Sequence, residues 1–473
     1  MTTTFLRSVS TMMKGTAIAQ AIPVLISPLL TRIYTPEDYG LFVLFVAVAS
    51  VLAVIATLRY ELAIVVAATE EEAVQVARFA LALLCVSFLL IAVIAGIFAE
   101  QLANVAGRPG QVGWIHALAP MVAALGAYQV ASYLATRARR FDRLARAAVV
   151  QQTVFAVAAL GLGAAFRVPA ALIAGRIGAV ASGLWILRPR GLGGHEGGRF
   201  FGAVAFRHRQ FALYNCPYSL IGTLGRELFL LALMAASQVG AAGLFGLARS
   251  VVYAPVTLLS AALSQVFYRE AASTLHTPRF EEIVLTLTRA IARLAAPAFA
   301  ALPLLAPDAF ALLFGDRWRD AGDYAALLAP VGFLFLFSSW PERVFEVAGR
   351  QQLSFFIQLG FDSMTAVVLI TMVRSGAEPL LMLAALVAIG CAYHLSYLSA
   401  AVRVARLSLA PFRSIVAEAT LLAVVSAIGV WLALSLLADV RLVLAVFAAG
   451  LLVYYVWLFP RVKRDLAALG DTP

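Results

Sequence analysis

The sequence predicts an all-α polytopic membrane protein of about fourteen transmembrane helices, grouped as six, six and a final two. Three observations predict it. Of 473 residues, 62% are hydrophobic and 13% charged, with a mean hydropathy of +0.91, a composition outside the range of soluble domains. Apolar runs recur at roughly 20 residues each, the length that crosses a hydrocarbon core of about 30 Å. Arginines collect in alternate connections between those runs, as a fixed membrane orientation requires.

The first hairpin sets the pattern. Its limbs run from Gly15 to Ile33 and from Leu41 to Leu58, joined by a polar turn in which Pro36 and Gly40 bracket Glu37 and Asp38. Pro23 and Pro28 each remove a backbone donor inside the first limb, which either kinks it or opens it to neighbouring polar groups. Further spans read at 77–99, 113–135, 147–166, 170–187, 211–235, 243–267, 283–306, 323–345, 351–373, 379–402, 415–437 and 442–459. Arg7 and Lys14 precede a run that leads directly into a second span, so it reads as an uncleaved first helix.

Counting basic residues by side places both termini in the cytoplasm, with Arg137, Arg139, Arg140, Arg143 and Arg146 after the fourth span and Arg188, Arg190, Arg199, Arg207 and Arg209 after the sixth. This topology accounts for the net charge of +11 better than a nucleic-acid partner does. The connection from Arg188 to Gln210, RPRGLGGHEGGRF in part, reads as a linker between lobes, since it lacks the GxxxxGK[ST] of a phosphate loop. Cys85, Cys216 and Cys391 all fall in apolar spans without disulfide or zinc spacing and read as small core residues. A faint repeat sets Gly40-Leu41-Phe42, opening the second span, against Gly243-Leu244-Phe245, opening the eighth. The predicted divisions are therefore 1–205, 206–402 and 403–473, with the last pair of spans, nearly free of charge, outside the duplication.

The stretch LLTRIYTPEDYGLFVLF, followed by LRYELAIVV, resembles the start of bacterial lipid-linked oligosaccharide flippases, the Wzx-type O-antigen and polysaccharide translocases of the MATE-like MOP superfamily. VGAAGLFGLARSV is similar to the same motif opening the second half. The resemblance implies two six-helix lobes around a central cavity and outward movement, by alternating access without ATP, of glycans carried on undecaprenyl pyrophosphate. It implies a bacterial inner membrane location, polysaccharide assembly proteins as partners beside the bilayer, no nucleic acid, no cofactor and no enzymatic step. The chain departs from relatives at Ala241 and Ala242 and in having only two lysines, Lys14 and Lys463.

Ionisable residues inside spans are costly and supply the candidate site. Arg226 lies about 22 Å along the seventh span and Asp362 about 18 Å along the eleventh, both beyond easy snorkelling from the cytoplasmic face. Arg226 lies nearer the outer end. Arg176 and Arg249 sit about 9 Å from the outer starts of their spans. Arg289 and Arg293, four apart, share a helix face and repel unless an anion or acid lies between them; Arg289 reads as interfacial. Arg32 and Arg59 lie at span ends as anchors, and the resemblance raises them to candidates. Arg59 and Glu61, two apart on a helix, would point to different faces and not pair; Glu227 can instead pair with Arg249. The substrate-binding candidates are Arg226, Arg249, Arg59, Arg32, Arg176 and Arg293, with Asp362 and Glu227 as coupling acids.

His116 and His394 stand alone and read as hydrogen-bonded membrane histidines, not metal ligands. Gln20, Gln129, Gln151 and Gln152 either line a sugar path or tie helices together. Trp340, Tyr393 and Trp457 read as lipid-packing or interfacial aromatics. Two other function classes set the contrast. An ion-coupled antiporter would depend on central carboxylates titrating in the membrane, and here only Asp362 and Glu227 qualify. A membrane glycan polymerase or ligase would need a sizeable outer loop with clustered catalytic groups; the outer loops here are short, and the largest, around Asp308, Asp316, Asp320 and Asp323, fits a polar helix connection at least as well as paired acid and base groups.

Overall fold

The computed structural model describes residues 2–105, 110, 112–188, 201–341 and 343–468. Fourteen helices among them are long and apolar enough to cross a membrane, one for each predicted span, and the chain is an all-α multi-pass membrane protein. We number the long helices α1 (Thr2–Ile33), α2 (Pro36–Ala56), α3 (Glu70–Val105), α4 (Leu118–Arg137), α5 (Phe141–Phe166), α6 (Pro169–Leu187), α7 (Cys216–Ala235), α8 (Val239–Thr274), α9 (Pro278–Phe314), α10 (Ala321–Ser338), α11 (Gln351–Arg374), α12 (Pro379–Ala405), α13 (Ala410–Leu436) and α14 (Val440–Ala468). Most of the expected linker, residues 189–200, lies outside the described residues; a short helix, Phe201–Arg207, follows it.

The chain parts into two compact units, residues 1–246 and 247–473. In the first, α5 packs along α1 and α6, α4 along α3 and α6, and α7 along α2. That last contact is why α7 groups with the first unit although the repeat divides the chain near 205. In the second, α9 packs along α10, α13 and α14, while α12 packs on α10 and α11.

Local chemistry explains the hairpin turn. Thr35 caps α2: its hydroxyl accepts from the Asp38 backbone N–H, and the Asp38 carboxylate accepts from the Thr35 N–H, a reciprocal capping box with Pro36 at the first helical position. Within α1, Pro28 deprives the Val24 carbonyl of its usual donor, and the Ser27 hydroxyl supplies one at 2.6 Å.

The same compensation reaches between helices at Pro297 of α9. That proline leaves the Arg293 carbonyl without its helical donor and crowds the turn around it. The Tyr454 hydroxyl donates to the Arg293 carbonyl at 3.0 Å and the Tyr455 hydroxyl to the Leu294 carbonyl at 2.9 Å. The Ser426 hydroxyl donates to the Pro297 carbonyl at 2.8 Å. So α13 and α14 are held to α9 through the backbone groups around its proline.

Several expectations are corrected. The predicted 323–345 span ends at Ser338, because Pro341 interrupts the helix before a short segment, Arg343–Val347. Trp340 is a core residue, 1% exposed and edge-on to Phe267 at 4.7 Å between centroids. Cys85 faces outward, whereas Cys216 is buried, so only the latter is core. The Pro307–Phe314 stretch continues α9, and Asp308 pairs with Arg319 at 2.6 Å, making that region the expected polar helix connection.

Candidate functional site

Four groups of side chains matter. The first lies where α2 ends. Leu58 and Arg59 adopt left-handed backbone conformations, φ 47° and 61°, and a 3₁₀ turn, Tyr60–Leu62, follows. A helix would have pointed Arg59 and Glu61 to different faces. This break brings them together, Nη1 to Oε1 at 3.2 Å, and corrects the expectation that they do not pair. Glu61 is fully buried, and the Thr57 hydroxyl donates to its other carboxylate oxygen. Arg59 therefore carries a built-in counterion, while its Nε finds no hydrogen-bond acceptor among the described residues.

The connection from there to α3 is held by residues that the sequence shows only as loop charges. Arg137 donates through Nη1 to the Ile64 carbonyl at 3.0 Å and the Ala67 carbonyl at 2.7 Å, and through Nε to Glu70 at 2.8 Å. Glu72 accepts from Arg207, from the Ala68 backbone N–H, and contacts the His208 ring nitrogen at 3.1 Å.

The second group lies inside the first unit. Arg176, half-buried on α6, has no carboxylate within ion-pair distance among the described residues; Tyr128 of α4 is within its electrostatic reach. Gln20 Oε1 on α1, Gln129 Oε1 on α4 and Gln151 Nε2 on α5 are buried without a hydrogen-bond partner among the described residues. Gly183 of α6 makes room for Gln151, since a Cβ there would strike its amide. For these atoms the helix-tying alternative does not hold. The helices carry polar groups into the membrane interior that the protein itself does not saturate.

Arg226 on α7 is exposed and bends back along its own helix, Nη2 donating to the Thr223 hydroxyl at 2.9 Å, with half-buried Glu227 beside it. Arg249 is half-buried on α8 in the second unit. Arg32 is exposed in the last turn of α1, as expected of an anchor, and Asp362 is half-buried near the middle of α11.

The third group answers the repulsion between Arg289 and Arg293. Glu418 of α13 lies between them: Arg293 Nε to Oε1 at 2.6 Å, Arg289 Nε to Oε2 at 3.7 Å. Asp465 of α14 adds a contact to Arg293 at 3.7 Å. Glu418 was missed because the last two spans read as nearly free of charge. A lone acid in an apolar span was the available signal. His394 is hydrogen-bonded as expected, at 2.8 Å to the Ser338 hydroxyl.

The fourth element is an apolar groove of about 720 Å³ in the second unit, walled by α9, α10, α12 and α13. Ala292, Phe299, Phe333, Val402, Ala419 and Val424 represent its lining, the hydroxyls of Thr288, Ser399 and Thr420 interrupt it, and no charged side chain among the described residues lines it. Rim residues Leu395, Leu409 and Val416 are more than half exposed, 54%, 66% and 63%. The groove is thus open to the chain's apolar surroundings.

The model of a family described as polysaccharide biosynthesis protein matches residues 29–323. No curated protein matches the chain significantly. Among solved structures, lipid II flippase MurJ in an inward closed conformation superposes with a TM-score of 0.72 at 11% identity, covering 97% of this chain and all of that one. An inward-facing multidrug resistance MATE family transporter of the MOP superfamily superposes at 0.54 and 15% identity, over 85% of this chain and 98% of the other. At such identities the likeness establishes the shared fold.

Proposed function

Because the chain belongs to the polysaccharide biosynthesis protein family, we propose that it translocates lipid-linked glycan across the bacterial inner membrane. The specific cargo in this reading is an oligosaccharide on undecaprenyl pyrophosphate, moved outward by alternating access for surface polysaccharide or O-antigen assembly. Both termini face the cytoplasm, and the halves 1–205 and 206–402 act as the two moving lobes. Nothing is covalently changed.

The observation that carries this reading is the apolar groove, for it is walled partly by α13, a helix outside the duplicated halves. A polyprenyl chain needs an uncharged track open to lipid, which a carrier of small soluble ions does not. The anionic end of the cargo needs cations, and Arg176, without a carboxylate neighbour among the described residues, is the strongest of them; guanidinium forks bind phosphate oxygens bidentately. Arg226, Arg249, Arg59, Arg32 and Arg293 are secondary contributors, Arg59 and Arg293 because each already has an acidic partner. The unsaturated amides of Gln20, Gln129 and Gln151 supply hydrogen bonds to sugar hydroxyls. Asp362 and Glu227 are the coupling acids.

Filling the groove tests the reading. Ala419→Trp and Ala423→Phe should leave the protein abundant yet slow the appearance of lipid-linked glycan on the outer face of spheroplasts by tenfold or more. Undiminished delivery in abundant variants would reject the tail track.

A further inference from the structure

One cavity of the first unit has no part in that transport reading. Where α5 begins and α6 ends, Arg143, Arg146, Trp185, Ile186 and Arg188 line a space of about 300 Å³. α5 and α6 pack along their lengths, so Arg188, more than a span away in the chain, lines the same mouth as Arg143 and Arg146, which lie three residues apart on α5. Arg146 is paired with Asp142 one turn back at 2.5 Å. Arg143 and Arg188 have no carboxylate within ion-pair distance among the described residues.

Arg188 is held by the aromatic ring instead. α6 stops at Leu187, Arg188 takes a positive φ of 24°, and its guanidinium carbon lies 3.1 Å from the centre of the Trp185 ring. Trp185 is itself 67% exposed. Its indole therefore presents an apolar face outward at a helix end, the placement that suits a membrane–water boundary.

We propose that this cavity is a phosphate site, and that the phosphate is the diester of an anionic glycerophospholipid in the surrounding bilayer. Like charges converging on one space repel unless an anion sits between them, and Asp142 offsets only one of the three. Arginine is the side chain best shaped for a phosphate oxygen pair. Exposed Trp185 and its neighbour Ile186 give the acyl chains of a lipid an apolar surface beside the charged mouth, which a soluble phosphate would not use. The bound lipid would brace the α5–α6 end of the first unit at the membrane surface.

The full-length protein, purified and delipidated in neutral detergent, tests this by native mass spectrometry with added phosphatidylglycerol or phosphatidylcholine. The wild-type protein should retain phosphatidylglycerol with at least tenfold preference. Arg143→Gln combined with Arg188→Gln should lose that preference, whereas Arg374→Gln, at the end of α11, should keep it. Trp185→Ala should weaken retention of phosphatidylglycerol, and a matching loss of its thermal stabilisation should appear in both variants. If the double variant proves unstable, the wild-type thermal shift with phosphatidylglycerol over phosphatidylcholine decides. Equal retention of both lipids, or undiminished preference in the double variant, would overturn the site. Displacement of phosphatidylglycerol by millimolar inorganic phosphate would overturn the lipid as its occupant.

Discussion

Gly40 of α2 and Gly243 of α8 each lie against the other's preceding helical turn. A Cβ on Gly40 would strike the Val239 carbonyl, and a Cβ on Gly243 would strike the Pro36 carbonyl. Pro36 stands four residues before Gly40, and Val239 four before Gly243. The contact is reciprocal, and it continues three residues to either side: Gly240 faces Glu37, and Gly246 faces Val43. Reciprocity of this kind is the mark of a local two-fold relation. It gives the Gly-Leu-Phe repeat a physical purpose, since only glycine lets the two backbones approach this closely.

Gly40→Val and Gly243→Val should therefore destabilise the protein similarly, by about 1–3 kcal/mol each, the usual cost of forcing atoms into a filled interface. Thermal unfolding in detergent measures it. A normal melting temperature in either variant would show that the helices separate without cost.

The Arg59–Glu61 pair predicts an asymmetric response. Glu61→Ala leaves Arg59 without its counterion and should cost about 3–5 kcal/mol, whereas replacing both residues with leucine should restore much of the loss. Protein abundance and melting temperature in the single and double variants provide the check. A double variant as unstable as the single would mean that other contacts of Glu61 dominate.

Around Pro297, Tyr454→Phe strands the Arg293 carbonyl and should cost about 1–3 kcal/mol, the penalty of an unsatisfied buried acceptor. Replacing Pro297 with alanine restores a donor to that carbonyl. In that background Tyr454→Phe should cost markedly less, and a double-mutant cycle reads the difference. Full additivity would sink the compensation.

Tyr34 predicts a pH effect. Its hydroxyl donates to the Ala159 carbonyl at 2.8 Å and its ring end fills the space left by Gly163. Burial, with the Asp38 charge adding to it, pushes its phenol up to about 12 from the usual 10. The folded state thus favours the neutral phenol. Its contribution is complete below about pH 10 and is lost as pH rises towards 12. Unfolding followed from pH 8 to 12 should show a steeper loss in the wild-type protein than in Tyr34→Phe.

Arg176→Ala should leave abundance near normal, because no described carboxylate is stranded by it, while lowering outward glycan delivery at least tenfold. Abundance by immunoblot and delivery by surface labelling separate the two roles. Loss of abundance without a defect per molecule would make Arg176 structural.

Much of the architecture is determined by the amino-acid sequence alone, since each span reports itself through its own apolar length and each turn through local chemistry such as Thr35-Pro36-Glu37-Asp38. The span count and the Gly40/Gly243 repeat were legible for that reason. What tertiary structure decided is which charges are already spent. Arg59 meets Glu61 only because two left-handed residues break the helix, and Arg293 meets Glu418 only because α13 crosses α9. Arg176 meets no such acid among the described residues. Counterions are chosen by distance in space, over a few ångströms, and a chain written in one dimension records only which charges exist.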